Sequence, residues 1–234
     1  MPSSRQRILT SIRQSLSHAG HLPAAERVSL RPEPLMEREA LVERFSAELI
    51  AVGGVCVREC GGEAAVAERV VALARATGTA DVLAWDQAVL PVPGLVEALR
   101  AAGLNVLDGE LPHEEPARAA VLAQLETCRV GLTGADAAFA ETGTLALRSG
   151  PGRPRLASLS VALHIAIITP EQLWTSWAGW WQAATAPGAP GGAAWVAEAS
   201  NLTLITGPSR TGDIEMTLTV GVHGPRQVHV IVAG

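Results

Sequence analysis

Short apolar runs alternate with amphipathic runs, and glycines punctuate nearly every junction of the first 133 residues; this alternation constrains the fold more than any other feature. Leu35–Ile50 has helical spacing, and Gly53-Gly54 stops it before a short strand at Val55-Cys56-Val57. Gly61-Gly62 turns the chain into a helix over 63–76, packed through Ala65, Val66, Ala67, Val70, Val71 and Leu73. The spacing then predicts a strand at Asp81–Trp85, a helix at Leu95–Ala102, a strand at Leu104–Leu107, a helix over 114–126 and a strand at Arg129–Thr133. Strands separated by helices form a mostly parallel sheet with helices over its faces, an α/β fold. Ligands of such sheets bind beyond the carboxyl ends of the strands.

The flanks are less regular. Residues 3–17 read as an amphipathic helix in which Ile8, Ile12 and Leu16 recur every fourth position. Gly20, Pro23, Pro32 and Pro34 then mark a linker, so 1–34 is expected to form a helical arm and 35–234 the main domain. Thr144–Leu147, His164–Ile168, Leu202–Ile205 and Val228–Val232 read as further strands. Pro170–Thr185 reads as one helix carrying Trp174, Trp177, Trp180 and Trp181, either packed as core or lid or turned toward a partner.

Composition narrows the function. About half the residues are apolar, the net charge is −5, and all 18 basic residues are Arg. No basic stripe offsets the negative charge, which argues against a nucleic-acid partner. No apolar run approaches the roughly 20 residues of a membrane-spanning helix, and the N-terminus lacks a signal-peptide core, so a cytoplasmic location is expected. Cys56, Cys60 and Cys128 are too few for a disulfide framework or a four-thiolate cluster. No histidine pair has metal spacing, and neither a Gly-x-Gly-x-x-Gly nor a Walker-type loop is present.

Three polar blocks carry the candidate chemistry. In Gly131–Thr144, Thr133 and Gly134 stand where a strand ends, and Asp136 and Glu141 lie among alanines before Thr142-Gly143-Thr144. These carboxylates suit a general base or nucleophile, or else they cap turns. In Thr206–Glu215, Gly207-Pro208-Ser209 forms a tight turn beside Arg210, whose fork suits a carboxylate or phosphate. Asp213 and Glu215 can orient it, or the whole network only fastens the loop. In Gly221–Pro225, His223 is a loop acid/base candidate or an ordinary surface histidine.

The order and spacing of these blocks resemble the LUD-domain family, and most closely its lactate-utilization C type. The resemblance implies a three-layer Rossmann-like sheet of the NagB/RpiA/CoA-transferase type. It implies a non-redox subunit of a system oxidising L-lactate to pyruvate, with no cofactor of its own and iron–sulfur clusters on partner subunits. The matching motif positions are Thr133, Gly134, Asp136, Glu141, Thr142, Gly143, Gly207, Ser209, Arg210, Asp213, Glu215, His223 and Gly224. On chemical grounds Arg210 would clamp a small carboxylate, with Glu141 and His223 handling protons. The rivals are a stand-alone acyl/CoA-transferase-like or sugar-phosphate-isomerase-like enzyme using Glu141, and an assembly module working through the N-terminal and Trp helices.

Overall fold

A computed structural model describes residues 3–18, 36–186, 188, 199–212 and 218–234. It comprises two units, Met1–Pro32 and Glu33–Gly234. In the first, α1 spans Ser4–His18. Ser3 and Gln6 cap it reciprocally: the Gln6 amide donates to Ser3 Oγ and the Ser3 amide to Gln6 Oε1. Its Ile8, Ile12 and Leu16 stripe is exposed.

The second unit opens with α2 (Arg38–Ala51), which buries Leu41, Val42, Phe45 and Leu49 at helical spacing. There follow β1 (Val55–Glu59), α3 (Gly62–Ala76), β2 (Asp81–Ala84), a 3-10 turn (Gln87–Val89), α4 (Leu95–Ala101), β3 (Asn105–Leu107), α5 (Ala117–Thr127) and β4 (Val130–Thr133). Next are β5 (Ala137–Phe139), β6 (Thr144–Ser149), α6 (Leu156–Leu159), β7 (Leu163–Ile168), a second 3-10 turn (Pro170–Gln172), β8 (Leu173–Trp174) and α7 (Trp177–Ala184). The last elements are β9 (Asn201–Ile205), β10 (Arg210–Gly212), β11 (Leu218–Val220) and β12 (Gln227–Ala233).

Six strands form one sheet in the order β1-β12-β7-β4-β2-β3, and every pairing is parallel. The alternation therefore does what the sequence predicts. Strands buried on both faces read as near-continuous apolar runs, as Leu163–Ile168 does with every residue buried. Right-handed crossovers place α3 and α4 on one face and α5 and α6 on the other. Gly131 lets α6 sit directly on β4: a β-carbon there would stand 1.8 Å from the Ala157 carbonyl oxygen.

A second, four-stranded sheet in the order β8-β5-β6-β9 lies outside this frame. Its β5–β6 hairpin turns through Gly143 (φ +62°), whose missing side chain admits the backbone of Leu49 near the end of α2. The predicted single helix over Pro170–Thr185 is corrected here. Leu173 and Trp174 form β8 against Ala138 and Phe139, and α7 starts only after Ser176, whose hydroxyl caps Gly179 N. Trp174 is therefore not on the helix. Trp177, Trp180 and Trp181 are, and they stack around Phe139 in a small satellite core.

Candidate functional site

The sheet order reverses between β2 and β4. From β2 the chain moves outward to β3, then crosses back to β4 on the other side of β2. The helices on the two flanks of such a point diverge, and a crevice opens at the carboxyl ends of the strands. Here those ends are Trp85 and Asp86 after β2 and Thr133 to Asp136 after β4.

A cluster of charge forms at this point. The Asp136 carboxylate is almost wholly withdrawn from solvent and accepts from three donors. These are Arg148 Nε at 2.9 Å, the Arg148 amide at 2.7 Å and Arg153 Nη1 at 2.7 Å. Arg148 is delivered by β6. Arg153 is delivered by the Gly150–Arg153 turn, where the Arg153 amide donates to the Gly150 carbonyl at 2.9 Å. That turn is tied across the sheet edge by the Asp86 amide, which donates to the Gly152 carbonyl at 2.8 Å. The Arg153 guanidinium also lies 5.2 Å from the Trp85 ring centroid, within cation–π range.

Two guanidiniums thus share the Asp136 carboxylate. Arg148, Ser149, Gly150, Pro151, Arg153 and Ala199 line a cavity of about 170 Å³ beside them. Asp136 thus acts as a brace that fixes the planes of both guanidiniums at the cavity wall. The cavity suits a ligand of a few heavy atoms.

A buried polar pair links β4 and β7 within the sheet. Thr133 Oγ1 stands 2.8 Å from His164 Nε2, and both residues are fully buried. Burial holds the imidazole pKa down to about 4, so the ring is neutral at pH 7. Among the described residues its Nδ1 has no hydrogen-bond partner.

Other expected site residues lie elsewhere. Gly134 is buried, but its open face is taken by Pro91 Cδ, 3.3 Å from where a β-carbon would stand, and by the Val89 carbonyl, 3.4 Å from it. Past it, β5 carries the chain toward the far end of α2. There Thr142, Thr144 and Thr206 form a hydroxyl chain with 2.7 Å links, so the first two polar blocks do meet, at Thr144 and Thr206. Gly207 (φ +77°) packs on Val52. Arg210 Nη2 donates to the Val52 carbonyl at 2.5 Å, beyond the C-terminus of α2, and so fastens this loop. Ser209 pairs by backbone with Pro225 and Gly221, which joins the second block to the third. Glu141 is exposed, and its Oε1 accepts from the Trp177 amide at 3.2 Å at the start of α7. His223 is exposed in a cleft at the amino ends of β4, β7 and β12, the edge opposite Asp136. Asp213 and Glu215 fall outside the described residues. Among the described residues, no three His, Cys, Asp or Glu side chains group as metal ligands, and no helix is long and apolar enough to cross a membrane.

A sequence profile of the LUD domain matches residues 38–233. The chain belongs to the LUD-domain family. Its relatives in that family include lactate utilization protein C of Deinococcus radiodurans, 31% identical over 97% of this chain and 94% of that protein. Another is lactate utilization protein C of Geobacillus sp. (strain WCH70), 29% identical over 83% of this chain and 78% of that one. A crystal structure of a DUF162 family protein from Deinococcus radiodurans shares the fold, with a TM-score of 0.55 and 24% identity over 86% of this chain and 100% of that chain. The LUD-domain assignment and the α/β fold thus agree with the expectation from sequence. Arg148, Arg153, Trp85 and His164 were not singled out by the sequence. The available signal was Arg148 interrupting the apolar run of β6, and His164 interrupting that of β7.

Proposed function

We propose that this LUD-domain chain serves lactate utilization by binding a small carboxylate at Arg153, on the cavity side of the Asp136 cluster. In this reading it is a non-redox subunit, and iron–sulfur partner subunits carry the electrons from L-lactate to pyruvate. The observation that carries the binding half is the Asp136–Arg148–Arg153 cluster beside its small cavity at the switch point of the sheet. A 2-hydroxy or 2-oxo acid presents a planar carboxylate, which a guanidinium fork matches in shape and charge. The names of the relatives support the lactate half. Arg210, the clamp expected from sequence, has its guanidinium turned to Val52 instead.

The stand-alone enzyme built on Glu141 finds less support, because that carboxylate is exposed and engaged with the Trp177 amide, away from the Asp136 cluster. The test of the subunit reading is made in the source cell. Tagged chain is purified without oxygen, and the eluate is assayed for lactate-dependent dye reduction and iron–sulfur absorbance. Both signals are expected in the eluate and neither from the isolated chain. An eluate lacking both, or lactate turnover by the isolated chain, overturns the reading.

A further inference from the structure

A second cluster of positive charge lies at the opposite edge of the main sheet. Arg129 immediately precedes β4, Ala162 precedes β7 and Arg226 precedes β12, three adjacent strands in register at Val130, Leu163 and Gln227. Strand spacing puts the two arginines roughly 10 Å apart at their Cα atoms. The small Ala162 between them leaves room for a cleft of about 420 Å³, bordered also by Ser160, Gly221, His223 and Gly224. Among the described residues no carboxylate lines it.

The strand starts at this edge are already paired through their backbone. The Arg129 carbonyl accepts from the Ala162 and Leu163 amides, and the Ala162 carbonyl accepts from the Arg226 and Gln227 amides. The Ser160 hydroxyl donates to the Leu156 carbonyl. The side-chain donors that border the cleft are the two guanidinium forks and the His223 imidazole. Among the described residues neither arginine has an ion-pair partner. A chain of net charge −5 that gathers two arginines and a histidine around one concavity has built a site for negative charge.

We propose that this amino-edge cleft binds a small dianion, a ligand whose clustered anionic oxygens both guanidinium forks can share. Phosphate monoesters and dicarboxylates offer that chemistry. The loop that carries His223 is tied by backbone to Ser209, so occupancy would also brace the loop that fastens α2 through Arg210. The site is separate from the Asp136 cluster and does not depend on it.

The experiment titrates inorganic phosphate, glycerol 3-phosphate and malonate into the full chain by calorimetry at low chloride. Saturable binding of at least one is expected, weakened roughly tenfold or more in the Arg129→Gln/Arg226→Gln double variant and retained in Arg153→Gln. Both arginines are exposed, and an unchanged melting temperature checks that the double variant is folded. Binding of the two phosphates alone assigns a phosphate ligand, and binding of malonate alone assigns a dicarboxylate. No binding of any of the three at about 10 mM, or equal binding by the double variant, overturns the proposal.

Discussion

Asp136 holds two partly buried arginines, and its own side chain is 7% exposed. Asp136→Asn keeps the shape but removes the charge both guanidiniums face. Breaking one partner out of a buried ionic group leaves the others uncompensated. The substitution should cost about 2 kcal/mol in urea unfolding, whereas an unchanged midpoint would mean the cluster is solvated. His164 makes a second prediction at this scale. Its folded pKa of about 4 lies below the ordinary 6.5, so between these values the unfolded chain binds more protons than the folded one. Stability from this group is therefore fully present above about pH 6.5 and is lost as pH falls toward 4, by on the order of 3 kcal/mol. His229 is shifted in the same direction by burial and adds to the slope. Melting temperatures of His164→Gln should fall less steeply across this window than those of the parent; parallel curves would contradict the assignment. The sequence marks such residues poorly. Arg210 stands out because its neighbours are small and polar, while Arg148 and Arg153 come together only through the pairing of β6 with β5 and the Gly150–Arg153 turn.

Among the elements, α6 is the most tightly specified by a single residue. It rests on the bare backbone of Gly131, and a methyl group there meets the Ala157 carbonyl head-on. Gly131→Ala should cost about 3 kcal/mol or more, since overpacking against backbone has no side chain to yield. Hydrogen exchange should show the loss first at 156–160 and in β4. Protection equal to the parent would show that α6 can shift freely. The first half of the fold is legible in sequence because each helix carries one apolar stripe and each strand is short, apolar and bounded by glycine. The second half is not, because β5, β8, β10 and β11 are two or three residues long, too short for any period to register. The Trp run misleads for a related reason: Trp174 and Trp177 are separated by three positions, as on a helix face, but Ser176 caps the helix between them.

Across the whole domain, the polar blocks read from sequence are brought together structurally but serve two ends of the sheet. The carboxyl edge holds Thr133, Asp136 and the arginine pair. The amino edge holds Gly143, Gly207, Ser209 and Arg210 as fastenings of α2 and its neighbouring loops, and His223 at the border of a cleft. One chain segment, the β5–β6 hairpin, links both, with Asp136 at its start and Gly143 at its turn. The three polar blocks therefore hold residues that close the fold beside residues of the proposed site, and substitution separates the two kinds. The most direct measurement is calorimetric titration of L-lactate and of pyruvate into the parent chain, Arg153→Gln and Arg210→Ala. The account predicts that at least one acid binds the parent, that Arg153→Gln loses roughly tenfold or more in affinity, and that folded Arg210→Ala binds as the parent does. Undiminished binding by Arg153→Gln, with binding lost in folded Arg210→Ala, would return the clamp to the amino edge and contradict the account.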